Sequence, residues 1–249
     1  MGDVATAVFR PRRRARRYHR SVSIDLSGKV VLVTGASIGI GREIALGFAA
    51  AGSLLALTYF EHRAEIEEVA ELCRTLGSPD VFTASLQLAD DDSIRTLLES
   101  VIGHFAAVDI LVHNAGIIDW RRFLDQDFGA IESQIAVNLE GTMKLTWVFL
   151  PMVRDTMIAI GSTATLHDSR TPPTYCATKW GLRGFFKALA LERPGKRFVV
   201  VHPTATATSM NEMRGMPPER VAGVVVRVAV GDIQVPSGGD VDLRDYIDG

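Results

Sequence analysis

Short apolar runs alternate with stretches of helical periodicity along almost the whole chain. Lys29–Thr34 (KVVLVT), Leu54–Tyr59, Val81–Ser85, Asp109–His113 (DILVH), Met157–Gly161 and Arg197–His202 (RFVVVH) each predict a strand. Between them, Arg42–Ala51 places Ile44, Ala45, Phe48 and Ala49 on one helical face, and Glu61–Leu76 does the same with Ile66, Val69, Ala70 and Cys73. Asp91–Phe105 reads as a helix opened by Asp90, Asp91 and Asp92, acids that suit the positive end of a helix dipole. Ala136–Val153 reads as a long helix ended near Pro151. Tyr175–Leu191 and Pro218–Val230 are further helices, and a last short strand lies near Asp240–Leu243.

The strands are apolar throughout rather than at alternate positions. That pattern marks strands buried on both faces, hence a parallel sheet with helices on each side. Strict β-α-β alternation with right-handed crossovers predicts a Rossmann-like, doubly wound, three-layer α/β/α fold. No linker or repeat interrupts it after residue 28, so residues 26–249 are expected to form one domain.

Composition supports a large core, with 47% hydrophobic and 22% charged residues. The net charge of −2 hides an asymmetry. Residues 1–20 hold seven Arg and one Asp, which leaves −8 for the remainder. The basic arm, residues 1–25, reads as a solvated tail, with an organelle presequence as the alternative. The acidic body argues against nucleic acid as a partner. Cys73 and Cys176 lack metal or disulfide spacing, so no metal is expected and a cytoplasmic location fits. No uninterrupted apolar run reaches membrane-spanning length.

Two local patterns carry chemistry. Thr34-Gly35-Ala36-Ser37-Ile38-Gly39-Ile40-Gly41 follows the first strand and opens the first helix. Gly35 permits a tight turn, Gly39 lets the backbone approach an anion, and Gly41 lets helix and strand pack closely; the helix start then faces a pyrophosphate. Tyr175 and Lys179 lie four apart on one helix and share a face. A nearby ammonium is expected to lower the phenol pKa, by roughly 1–3 units. Ser162, at the end of the Met157–Gly161 strand, is placed to donate to a carbonyl oxygen. A Ser162–His167–Asp168 hydrolase is the weaker reading, since adjacent His and Asp in one loop do not line up in series and no Gly-x-Ser-x-Gly elbow surrounds the serine.

With these residues the chain resembles the short-chain dehydrogenase/reductase family over roughly residues 26–246. Thr34–Gly41 matches the family's Thr-Gly-x-x-x-Gly-x-Gly, Asn114-Ala115-Gly116 its Asn-Ala-Gly, and Tyr175-x-x-x-Lys179 its signature. Asn138 matches the tetrad asparagine, and Ser162 precedes Tyr175 by the usual gap. Pro203–Met210 resembles the loop after the sixth strand, and Ser237-Gly238-Gly239-Asp240 the glycine turn before the last. The resemblance implies four catalytic roles. Tyr175 protonates the carbonyl oxygen, Lys179 binds the nicotinamide ribose and depresses the Tyr175 pKa, Ser162 orients the substrate, and Asn138 holds a water. It further implies cofactor contacts from Gly35, Ser37, Ile38, Gly39, Ile40, Gly41, Tyr59, Gln87, Leu88, Asn114, Ala115, Gly116, Pro203, Thr206 and Thr208.

The chain departs from the family pattern at four positions. Tyr59 stands where an NAD-preferring relative carries Asp, Gln87 replaces an Asp near the adenine, His113 replaces the first Asn of Asn-Asn-Ala-Gly, and Thr204 replaces the glycine after Pro203. With no acid at 59, and His62 and Arg63 close by, NADP is expected over NAD. Shortened turns are expected before Met157 and between Glu192 and Arg197.

Loop position suggests a pocket wall of Ile118, Trp120, Thr163, Leu166, His167, Met210 and Met213, suited to an apolar or ring-bearing substrate. The expected activity is hydride transfer between NAD(P)(H) and a ketone or secondary alcohol. The alternatives are a 3-oxoacyl-thioester reductase, with Arg121 and Arg122 meeting the carrier, and a non-catalytic NAD(P)-sensing regulator. Apolar faces on the long helices predict a homodimer or homotetramer.

Overall fold

A computed structural model of the chain describes residues 24–246. The basic arm expected over 1–25 therefore lies outside the described residues, except for Ile24 and Asp25. The elements run β1 (Val30–Val33), α1 (Gly39–Ala50), β2 (Leu54–Tyr59), α2 (Arg63–Leu76), β3 (Val81–Ser85), α3 (Asp91–Phe105), β4 (Val108–His113), α4 (Phe128–Ile135), α5 (Thr142–Phe149), β5 (Val153–Ile160), α6 (Pro173–Glu192), β6 (Arg197–His202), α7 (Pro218–Ala229) and β7 (Gly239–Asp242). The seven strands form one sheet in the order β3-β2-β1-β4-β5-β6-β7, every pair parallel.

The two-residue period of a strand sends neighbouring side chains to opposite layers. Val31 and Val33 of β1 join Ile110 and Val112 of β4 in one core, packed under α1, α2 and α7. Val30 and Leu32 join Leu111, Met157 and Ala159 in a second core, packed under α3, α5 and α6. Both faces of each central strand are therefore dry, which is why those strands read as unbroken apolar runs.

The order reverses beside β1, where the chain has wound outward to β3 and returns to β4. Crossovers diverge there and leave a crevice beyond the carboxyl ends of the strands. Everything described below lies along that edge.

Several boundaries differ from the sequence reading, four of them near the cleft or its supporting helices. The helix expected from Ala136 starts at Phe128, where Asp127 accepts from the Ala130 N–H at 2.7 Å as an N-cap. It passes through a π-helical turn, Ala136–Gly141, before α5. That extra-residue turn throws the apolar positions out of a 3.6-residue register and hid the first half. Strand β5 begins at Val153, so only three residues separate it from α5, in line with the shortened turn expected there. α1 starts at Gly39 and α6 at Pro173, each one turn or less before the predicted residue.

Candidate functional site

The glycine turn is built from both sides. Thr34 Oγ1 accepts from the main-chain N–H groups of Asn114 (3.0 Å) and Ala115 (3.1 Å). Asn114 Nδ2 donates back to the carbonyls of Thr34 (2.9 Å) and Gly35 (3.0 Å). The loops after β1 and β4 are thus clamped together at the crevice. Gly35 and Gly39 adopt positive φ, 65° and 59°. A Cβ at Gly39 would lie 3.0 Å from Thr208 Cγ2. A Cβ at Gly41 would fall on the Gly35 carbonyl oxygen. Helix α1 has no side-chain cap at Ile38 and no acid in its first turn, so its first N–H groups are left to face the crevice.

The crevice opens into a cleft of about 570 Å³. Gly35, Ser37, Ile38, Gly39 and Ile40 line one end, with Gln87, Leu88, Asn114, Ala115 and Gly116 beside them. Ser162, Thr163, Tyr175, Lys179, Pro203 and Thr206 line the cleft as well, with Thr208 against Gly39 and with Ile118, Trp120 and Met210 at the wall. Three predicted contacts stand elsewhere. Gly41 packs against the turn instead of facing the space, Tyr59 packs against the core under α1 and α2, and Asn138 is buried behind the wall. Of the expected pocket wall, Leu166, His167 and Met213 do not line the cleft.

Ser162 caps a short 3₁₀ turn, Thr163–Thr165, and its Oγ accepts from the Ala164 N–H at 3.2 Å. Accepting there leaves the hydroxyl proton free to be donated. Lys179 is 5% exposed, and its Nζ donates to the Ile160 carbonyl at 2.8 Å. The ammonium lies 5.5 Å from the centre of the Tyr175 ring. Burial pushes the Tyr175 phenol up to about 12 and the Lys179 ammonium down to about 8. The sequence-based expectation of a depressed phenol is therefore reversed. Desolvation disfavours the charged form of both groups and outweighs their mutual attraction at this separation.

Asn138 braces the wall. Its Oδ1 accepts from the Ile117 N–H and its Nδ2 donates to the Ile117 carbonyl, both at 2.7 Å, with a further 3.3 Å contact to Thr178 Oγ1. Both ends of the side-chain amide are engaged, so the water-holding role implied by the resemblance falls to the second lone pair of Oδ1 or to the main-chain carbonyl. His113, at the departure from Asn-Asn-Ala-Gly, is buried against Thr146 Oγ1 at 3.2 Å, and burial pushes its pKa down to about 3. It is a neutral packing residue. His167 pairs with Asp242 at 2.7 Å, away from Ser162, which removes the geometry of a hydrolase triad. Arg121 is held by Asp119 (2.6 Å) and Asp127 (3.5 Å), so its charge is already answered.

Sequence reasoning missed Phe60, Ala89, Ser169 and Thr171, all of which line the cleft. A positional signal existed for two of them. Phe60 directly follows β2, Ala89 follows β3, and residues just past parallel strands meet the crevice.

The family model for short chain dehydrogenases matches residues 29–217. The chain is 34% identical over 183 residues to 11-beta-hydroxysteroid dehydrogenase 1A of Arabidopsis thaliana, a stretch covering 72% of this chain and 52% of that protein. It thus spans about half the length of that curated relative. Among solved structures it resembles a dehydrogenase/reductase from Sinorhizobium meliloti 1021, with a TM-score of 0.82, 26% identity, and coverage of 88% of this chain and 94% of that one. It also resembles a short chain dehydrogenase from Burkholderia cenocepacia J2315 in complex with NADP, with a TM-score of 0.80, 26% identity, and coverage of 87% and 96%. With the glycine turn, the clamped Asn114 and the Tyr175–Lys179 helix all on one crevice, this chain belongs to the short-chain dehydrogenase family.

Proposed function

We propose that the protein is an NAD(P)(H)-dependent oxidoreductase that moves a hydride between nicotinamide and a ketone or secondary alcohol, with Tyr175 as general acid and base. The observation that carries this reading is the opening of Ser162, Tyr175 and Lys179 into the same cleft as the glycine turn. The free N–H groups at the start of α1 and the bare backbone of Gly39, which lines the cleft, suit a pyrophosphate.

The cofactor, when bound, supplies or accepts the hydride. In the reduction direction, Tyr175 gives its proton to the substrate oxygen, and Ser162 donates a hydrogen bond to the same oxygen as charge builds there. Lys179 then lies 5.5 Å from a phenolate ring and stabilises it until a solvent proton returns. Ile118, Trp120 and Met210 offer an apolar wall, which suits a ring-bearing substrate. The name of the hydroxysteroid relative points the same way.

NADP is the cofactor we favour, because position 59 carries no acid and the Burkholderia neighbour holds NADP. A homodimer or homotetramer is supported by Trp147, 78% exposed on α5, and Trp180, 52% exposed on α6. A cytoplasmic setting fits the two free cysteines, and among the described residues no helix is long and apolar enough to cross a membrane.

The test is a turnover screen with NADPH and NADH over ketones, quinones, sugars, steroids and acyl thioesters, with Tyr175→Phe as the blank. Binding of NADPH without Tyr175-dependent turnover of any of them would refute the reading.

A further inference from the structure

His202 closes β6 and is fully buried, directly behind Ser162. Its Nδ1 lies 3.3 Å from the Ser162 N–H, 3.0 Å from the Ser162 carbonyl and 3.1 Å from Thr165 Oγ1. On the other side of the ring, Nε2 lies 2.9 Å from Asp240 Oδ1. Arg183 grips that carboxylate with two donors, Nε to Oδ1 at 2.9 Å and Nη2 to Oδ2 at 2.8 Å. Lys187 adds an ammonium 2.8 Å from Oδ2. Arg183 Nη1 also donates to the Thr165 carbonyl at 2.9 Å, so one side chain ties β7 to the turn that Ser162 caps.

The hydrogen positions follow from the partners. Two cations hold Asp240 ionised and well below the usual carboxylate range, so it has no proton to give. Nε2 must therefore carry the hydrogen between them. Burial, aided by the Arg183 charge, disfavours a second ring proton more than Asp240 and the Ser162 carbonyl favour it. Nδ1 is then a bare acceptor for the Ser162 N–H, with the Thr165 hydroxyl placed between Nδ1 (3.1 Å) and the Ser162 carbonyl (2.9 Å). A protonated ring would instead donate to the Ser162 carbonyl, drop the N–H and turn the peptide unit that carries the serine. Position 161 is cut to fit: a Cβ on Gly161 would lie 2.6 Å from Nδ1.

We infer that Arg183, Asp240 and His202 form a positioning network that fixes the backbone of Ser162, and through it the direction of the serine hydroxyl in the cleft. This rests on the proposed function, because it gives the hydroxyl a substrate oxygen to meet. The residues are separate from those that touch the cleft; none of the three lines it.

The ring's state is readable without any turnover. ¹⁵N NMR of His202 is expected to show the neutral Nε2–H tautomer from pH 6 to 8. The charged groups that bear on it are Asp240, Arg183 and Lys187, with Asp242 next along β7 held by His167 and Arg244. A charged ring, or the Nδ1–H tautomer, overturns the network even if no substrate is ever found.

With a ketone that the wild type reduces, His202→Leu is expected to lower kcat at least about tenfold, as misplacement near the chemistry does, while KM for NADPH stays within about twofold. His202→Asn returns an acceptor at the place of Nδ1 and is expected to recover most of the loss. Leu and Asn variants with equal kcat, high or low, overturn the proposal. Should the leucine variant fail to fold, Thr165→Val removes the hydroxyl that reaches both Nδ1 and the Ser162 carbonyl. It is expected to lower kcat with KM for NADPH unchanged, and an unaltered kcat overturns the proposal. Absence of Tyr175-dependent turnover in the wild type would instead sink the functional reading and leave the NMR result to decide the network.

Discussion

The indole Nε1 of Trp120 donates to the main-chain carbonyl of Met210 at 2.7 Å, joining the loop after β4 to the loop after β6 across the cleft. Both residues line the space between them. The second loop is further shaped by left-handed backbone at Glu212 (φ 47°) and Met213 (φ 59°) and by a close at its base, where Met216 N–H donates to the Ala205 carbonyl at 2.9 Å. Thr204–Pro217 is therefore a short strap tethered across the cleft.

Trp120→Phe keeps an aromatic wall and removes the only donor in that tether. A net hydrogen bond contributes about 0.5–1.5 kcal/mol, so KM for a bulky ketone is expected to rise about 2- to 10-fold with little change in KM for NADPH. Steady-state kinetics on both substrates check this. Equal KM values in wild type and variant would show that the tether has no part in holding substrate.

The buried Lys179 gives stability a defined pH dependence. Its folded pKa is about 8, against 10.5 for the free group. Between those values the folded chain holds fewer protons than the unfolded one, so stability rises with pH. Tyr175 works in the opposite sense, with a folded value of about 12 against 10, so its contribution is present below pH 10 and is lost as pH climbs toward 12. The expected result is a wild type that gains stability on Lys179→Met between pH 8 and 10, by at most about 3 kcal/mol. Urea unfolding of both proteins across that range measures it. Parallel curves would mean that the ammonium is better solvated than its burial implies.

Sheet and site differ in how much of them is legible along the chain. β1, β2, β4 and β6 announce themselves because both faces are dry, and the glycine turn because three positions need a missing Cβ in a fixed context. The first half of the α4–α5 helix does not, since Phe128 and Ile135 are apolar yet exposed and the π-helical turn breaks the period. The network behind Ser162 is silent for a different reason. Arg183, His202 and Asp240 meet only when α6, β6 and β7 are packed, and no spacing encodes that meeting. The same limit reversed the sign expected for the Tyr175 pKa: sequence supplies the neighbouring charge but not the depth at which it lies.

The lip of the cleft sets a test of cofactor preference. Phe60, Glu61 and His62 line it after β2, and Arg63, close in sequence, is turned to Glu67 at 3.2 Å. Glu61 is thus the carboxylate there that opposes a 2′-phosphate. Glu61→Gln removes that repulsion and is expected to raise the ratio of kcat/KM for NADPH over NADH by about 3- to 10-fold, the range of a partly exposed charge contact. An unchanged ratio would place the phosphate away from this lip.

Gly41 tests the turn itself. It neither faces the cleft nor has a left-handed φ, so its value as glycine is purely one of space. An alanine methyl would fall on the Gly35 carbonyl oxygen and on Asn114 Nδ2, the two atoms that hold the turn to the loop after β4. Relief requires α1 to back away from β1 or Asn114 to release Gly35. Backing α1 away shifts the N–H groups of the first helical turn from the position that suits a pyrophosphate. Gly41→Ala is expected to cost about 1–3 kcal/mol of folding stability, as overpacking does, and to weaken NADPH binding by more than tenfold. Urea unfolding and fluorescence titration with NADPH report the two losses separately. Lost stability with intact NADPH affinity would mean that the turn relaxes by releasing Asn114, leaving the start of α1 in place.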